Sequence, residues 1–160
     1  MSAALASLVS HWAAIYANSA ALRTVIGFLH VGGLVVSGGR AIVMDRETIL
    51  AFRRGDADRA DAIHDLHASH PLVIGGLIVV SISGLLLFAS DFDNYLVSTT
   101  FWIKMACILL LSLNGLRMMR ATSAAERQAS AWPVLRQTAI ASLVLWTATT
   151  LLGAALPNVG

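Results

Sequence analysis

The sequence predicts an all-α fold: an integral membrane four-helix bundle with an N-terminal amphipathic interfacial helix. Three observations predict it. Of 160 residues, 57% are hydrophobic and only 12% charged, with a mean hydropathy of +0.73, more apolar surface than one soluble core of this size can hide. Those apolar residues gather into four stretches, near residues 22–44, 71–90, 98–119 and 136–156. Each is close to the ~20 residues that cross a hydrocarbon core of roughly 30 Å. Nine of the eleven basic residues flank the first and third connections: Arg40, Arg46, Arg53, Arg54 and Arg59, then Arg117, Arg120, Arg127 and Arg136. By the positive-inside rule these connections, residues 45–70 and 120–135, are cytoplasmic loops and both termini lie outside. The expected location is a bacterial inner membrane, crossed several times.

Residues 1–20 form the first unit and residues 21–160 the four-span domain. The first twenty residues hold no Lys or Arg, so they lack the basic start of a cleaved signal peptide. Leu5, Leu8, Val9, Trp12, Ile15 and Tyr16 recur at helical steps, which predicts an amphipathic helix lying on the membrane surface. In the first span Arg23, His30 and Ser37 share a stripe at seven-residue spacing, and Gly27, Gly32, Gly33, Gly38 and Gly39 let a neighbouring backbone or a flat ligand come close.

Past the membrane, DRETILAFRR continues with good helix formers to Gly55, a plausible C-terminal cap. Asp56 then reads as the N-cap of a short helix ending at Ala68, and Pro71 suits the first turn of the second span. SDFDNYLVS reads as an acidic turn. Thr100, Cys107 and Asn114 make a second polar stripe on the third span, with Lys104 beside it. Trp146 sits mid-way along the fourth, with Ser142, Thr149 and Gly153 on its side. Trp102, Trp132 and Tyr95 read as interfacial anchors.

A membrane helix needs no polar side chain, so those it carries are the functional candidates. His30 and Lys104, about eight and six residues into parallel spans, sit at similar depth and line one outward-facing pocket. Arg40 and Asn114 approach each other in depth near the cytoplasmic face. Each also has a plainer reading: an interhelical hydrogen bond for His30 and Asn114, snorkelling for Lys104, a boundary charge for Arg40. The densest run of potential metal ligands is DAIHDLHASH, with His64, His67 and His70 beside Asp61 and Asp65. Imidazoles with carboxylates suit copper, zinc or nickel; the plainer reading of the same run is a solvated loop that binds no metal. A single cysteine, Cys107, excludes an intrachain disulfide and cysteine-built metal sites. The pI of about 9.2 comes with a net charge of only +2, so nucleic acid is not the expected partner. Membrane lipid is, with a homo-oligomer or a larger membrane complex as the expected assembly.

LHVGGLVVSGGR in the first span, SGLLLF in the second and FWIKMACILLLSLNGLRMMR in the third together resemble the CopD/HemJ-like superfamily of small bacterial integral membrane proteins. The resemblance covers roughly residues 22–120 through short motifs. It implies heme b held by His30, which matches the first-span histidine of HemJ-like proteins, and it matches Lys104 to the lysine of their tryptophan-x-lysine motif. HemJ-like proteins commonly carry a histidine late in the third helix, where this chain has Asn114 and Arg117, closer to the CopD pattern. The leading expectation is a heme b protein of electron transfer or porphyrin-linked redox chemistry, with a HemJ-like oxidoreductase activity left open. Lys104 and Arg40 are the expected propionate partners, and His11 or a cytoplasmic histidine the second axial ligand. The alternatives are CopD-like copper or other metal transport through His30, His64, His67 and His70, and a cofactor-free accessory subunit.

Overall fold

A computed structural model of the chain describes residues 3–159. Six α-helices run in order: α1 (Ala3–Asn18), α2 (Ala20–Arg54), α3 (Asp56–Ser90), α4 (Phe92–Val97), α5 (Thr99–Arg127) and α6 (Trp132–Val159), with a 3-10 turn over Ala129–Ala131. Four of them, α2, α3, α5 and α6, are long and apolar enough to cross a membrane. Large apolar side chains cover their outer faces, among them Phe28 at 73% exposure and Val35, Leu85 and Leu151 near it. Lipid satisfies that surface where water would not.

The packing is antiparallel between neighbours, in the order α3, α2, α6, α5. Along α2–α3 the partners run from His30 against Ser83 to Arg40 against Ser69. Along α2–α6 they run from Gly38 against Trp146 to Phe52 under Arg136. The α3 and α5 helices have the least contact among adjacent members. They touch through the stacked rings of Phe88 and Phe101, 5.1 Å apart, and through His67 and Glu126 at the opposite end.

Several expectations about the connections are corrected. The connection over 45–70 is helical throughout except at Gly55, as expected up to Gly55 and from Asp56 on. At 35 residues each, α2 and α3 are about 52 Å long, well beyond the ~30 Å of hydrocarbon. They join through Gly55, whose φ of 125° lies where only glycine is unstrained. The expected short helix ending at Ala68 does not stand alone: α3 is continuous, with Pro71 inside it. Ala62 and Leu66 are buried in the shared core of that end, so packing holds the first turns of α3 in line with the rest. The helix starts at Asp56 with Gly55 in the cap position; the Asp56 side chain, expected as the cap, lies outside the described residues. Residues 120–135 are likewise largely helical, and the acidic turn contains its own short helix, α4.

The main buried core sits at the Gly55 end, built from Met44, Ala51, Leu66, Met118, Leu135 and Trp132 with their neighbours. Trp132 is therefore a core residue, 3% exposed, and not an interfacial anchor. Arg59 and Arg136 cap it by stacking over Phe52, and Arg59 also over Trp132, which suits a guanidinium on an aromatic face. At the Asp91 end α1 packs on α3 and α2. Trp12 Nε1 donates to the Leu86 carbonyl at 2.9 Å. Arg23 leaves the stripe predicted for it and instead donates to the Tyr16 and Ala17 carbonyls, capping the C-terminus of α1.

Candidate functional site

His30 is the polar side chain that the fold positions with most care. On α2 it faces α3, where Nδ1 lies 3.0 Å from Ser83 Oγ and 3.2 Å from the Val80 carbonyl. Ser83 spends its own proton on the Val79 carbonyl at 2.7 Å, so its oxygen is an acceptor. A carbonyl also only accepts. This network assigns the imidazole proton to Nδ1 and leaves the lone pair on Nε2, which has no hydrogen-bond partner among the described residues. An imidazole anchored through Nδ1–H to a carbonyl, with Nε2 open, is the arrangement of a metal-ligating histidine. Gly84 makes it possible, because a Cβ there would stand 3.1 Å from His30 Cε1. The serine and glycine of SGLLLF thus form the seat of the histidine from LHVGG.

Lys104 comes to the same level from α5. Its ammonium rests beside Gly153 of α6, with Nζ 3.4 Å from where a Cβ would be, and it is close enough to act electrostatically on His30. No carboxylate pairs with it among the described residues. Two polar groups therefore stand at one depth, one offering a lone pair and the other an uncompensated positive charge.

The other candidates lie elsewhere. Arg40 donates from Nε to Ser69 Oγ at 2.9 Å, which ties α2 to α3 about fifteen ångströms deeper than His30 along the helix. Asn114 turns to α6, where Nδ2 donates to the Thr138 carbonyl at 2.9 Å. Arg40 and Asn114 thus serve two different interfaces. His11, beside Trp12 on α1, is exposed.

His64, His67 and His70 lie on one continuous helix, where each step of three residues turns by about 300°, so His70 drifts away from the face that His64 shares with His67. His64 and His67 line an open cleft with Arg59, Glu126, Arg127 and Trp132, and His67 Nε2 is 3.7 Å from Glu126 Oε2. The His70 ring stands edge-on to that of His67, 6.0 Å between centroids. No group of three or more His, Cys, Asp or Glu gathers as a metal cage among the described residues.

One buried group has no counterpart among the sequence candidates. Asp45 of α2 is 2% exposed and faces Ser142 of α6. The signal was present as spacing: Ser37, Ala41, Asp45 and Thr48 follow one another at three- and four-residue steps, and all are buried. Composition hid it, because DRETILAFRR has the polarity of a solvated helix.

No family model, curated protein or solved structure matches this chain.

Proposed function

We propose that the chain is a b-type heme protein of a bacterial inner membrane, working in electron transfer or porphyrin-linked redox chemistry. The observation that carries the reading is the pairing of His30 with Lys104. A bare metal cation gains a ligand from His30 Nε2 but is repelled by the unpaired ammonium nearby. A ligand that joins a metal to carboxylates gains from both, and a heme with its propionates is such a ligand. This favours heme over a transported copper or zinc ion.

The residues fit one side of such a group. His30 would supply an imidazole ligand, its ring angle held by Val80 and Ser83, and Lys104 would take a propionate. No second histidine stands beside His30, since His11 is exposed and His70 belongs to the far half of α3. The residues present therefore support a single histidine ligand from this chain. When bound, heme would carry one electron at a time. The protein's own part is to fix the imidazole tautomer and to set a positive charge beside the site, which favours the reduced, more negative state of a bound group.

The positive-inside pattern puts the Gly55 end in the cytoplasm and the Asp91 end outside. The apolar outer faces meet lipid, and they leave room for a homo-oligomer or a place in a larger membrane complex.

The test is a reduced-minus-oxidised optical spectrum of the pure protein after heme supplementation, with metal analysis of the same sample. A Soret band that disappears in His30→Ala is expected. No Soret band in the wild type overturns the reading. Stoichiometric copper or zinc without heme would point to metal handling, and neither cofactor to an accessory subunit.

A further inference from the structure

Asp45 is the one carboxylic acid buried in the bundle among the described residues, at 2% exposure. Its Oδ2 has no hydrogen-bond partner, and Ser142 of α6 is its side-chain neighbour. The hydroxyl of Thr48 one turn on is committed to the Met44 carbonyl at 2.8 Å, so it does not serve the carboxyl.

Among the described residues, no cation balances Asp45 from any helix packed around it. On α2 itself, Arg40 turns to Ser69 and Arg46 pairs with Glu47. On α6, Arg136 lies over Phe52, and on α3 Arg59 lies over Phe52 and Trp132. On α5, Arg117 and Arg120 are exposed, while Met118 and Asn114 are buried and uncharged. An ionised carboxylate in this setting has lost its water and gained no counter-charge, so its two protonation states differ strongly in what the packing must tolerate. A buried titratable group kept without a counter-charge marks a candidate functional site.

We propose that Asp45 is a proton-binding site, taking up and releasing one proton through Oδ2 in exchange with water at the Gly55 end. On uptake, the Oδ2 lone pair forms an O–H bond with a proton delivered by water. On release that bond breaks, the electron pair stays on the carboxylate and the proton returns to water. The direction is set by Trp146. It is 3% exposed, packs onto α2 with its ring 3.1 Å from where a Cβ of Gly38 would be, and fills the level between Asp45 and His30. Asp45 lies in the last third of α2, on the Gly55 side of Trp146, so the water it exchanges with is at that end, past the buried Thr48 and Ala51.

The experiment is an infrared difference spectrum of the full chain, purified in detergent, recorded between acid and alkaline buffer in H2O and in D2O. A carboxylic C=O band that titrates, shifts in D2O, vanishes in Asp45→Asn and persists in the exposed control Asp65→Asn is expected. Absence of a titrating buried band in the wild type overturns the proposal, as does its survival in Asp45→Asn. Should Asp45→Asn not fold, Asp45→Glu decides: a displaced band supports the assignment and an unmoved one overturns it. The measurement needs no cofactor, so its outcome is independent of the heme reading.

Discussion

At the scale of single residues, the site depends on how one ring is held. Ser83 accepts from His30 Nδ1 and passes its own proton to Val79, so removing the hydroxyl leaves the imidazole with the Val80 carbonyl alone. On the proposed heme reading, Ser83→Ala is expected to keep the fold and the heme spectrum while weakening heme affinity by about 10-fold, at the low end for lost outer-shell partners. Heme titration into the apoprotein measures it, and unchanged affinity would remove Ser83 from the site. Lys104→Gln tests the other half. It should lower affinity by a similar factor and shift the midpoint potential negative, while Lys104→Arg keeps both. The depth match of His30 and Lys104 was legible in the sequence, because both follow from counting residues along spans that run the same way. The seat made by Ser83 and Gly84 was legible only as a motif; that these residues meet His30 depends on the α2–α3 register, which no local pattern specifies.

At the scale of elements, α2 and α3 approach through small residues. A Cβ at Gly76 would stand 2.6 Å from Ser37 Cβ, whereas Gly75, the next residue, has nothing within 4 Å. Gly76→Ala should therefore destabilise the hairpin by about 1–3 kcal/mol through overpacking. Gly75→Ala should be neutral or stabilising by up to about 1 kcal/mol, from helix propensity. Reversible unfolding in mixed micelles compares the two; equal effects would show that this contact does not set the helix separation. The helices themselves were readable from apolar run length, and the boundary at Gly55 from its glycine, but the start of the second span was misplaced. Pro71 looked like a helix start by local rules, yet Ala62 and Leu66 bury their side chains in the common core, and that packing carries α3 through the proline. Trp132 misled in the same way: an aromatic at the edge of an apolar run resembles a membrane anchor, and only the tertiary fold shows it under Arg59.

At the scale of the whole molecule, the division of charge predicts a topology. With Cys107 replaced by Ser, an impermeant thiol reagent applied to intact cells should label a cysteine at Asp93 and leave one at Ser123 unlabelled until the membrane is opened. The reverse pattern would invert the orientation and place His30 and Lys104 in the cytoplasmic half. The two ends of the bundle also differ in kind. Toward Gly55 lies a dense core in which four long helices bury one another, and toward Asp91 lies the polar pair His30 and Lys104, under an α1 with no buried residue of its own.

The single-residue link at Gly55 has a consequence for how the molecule comes into being. A connection that short closes at little entropic expense, and the α2–α3 contacts zip outward from it, with partners 29 to 53 residues apart, against about a hundred for α2 with α6. The Gln128–Ala131 link does the same for α5 and α6. The contact between α2 and α6, through Gly38 with Trp146 and Asp45 with Ser142, is the distant one. This connectivity predicts assembly as two hairpins inserted in succession, with the level of Trp146 and Asp45 the last to close.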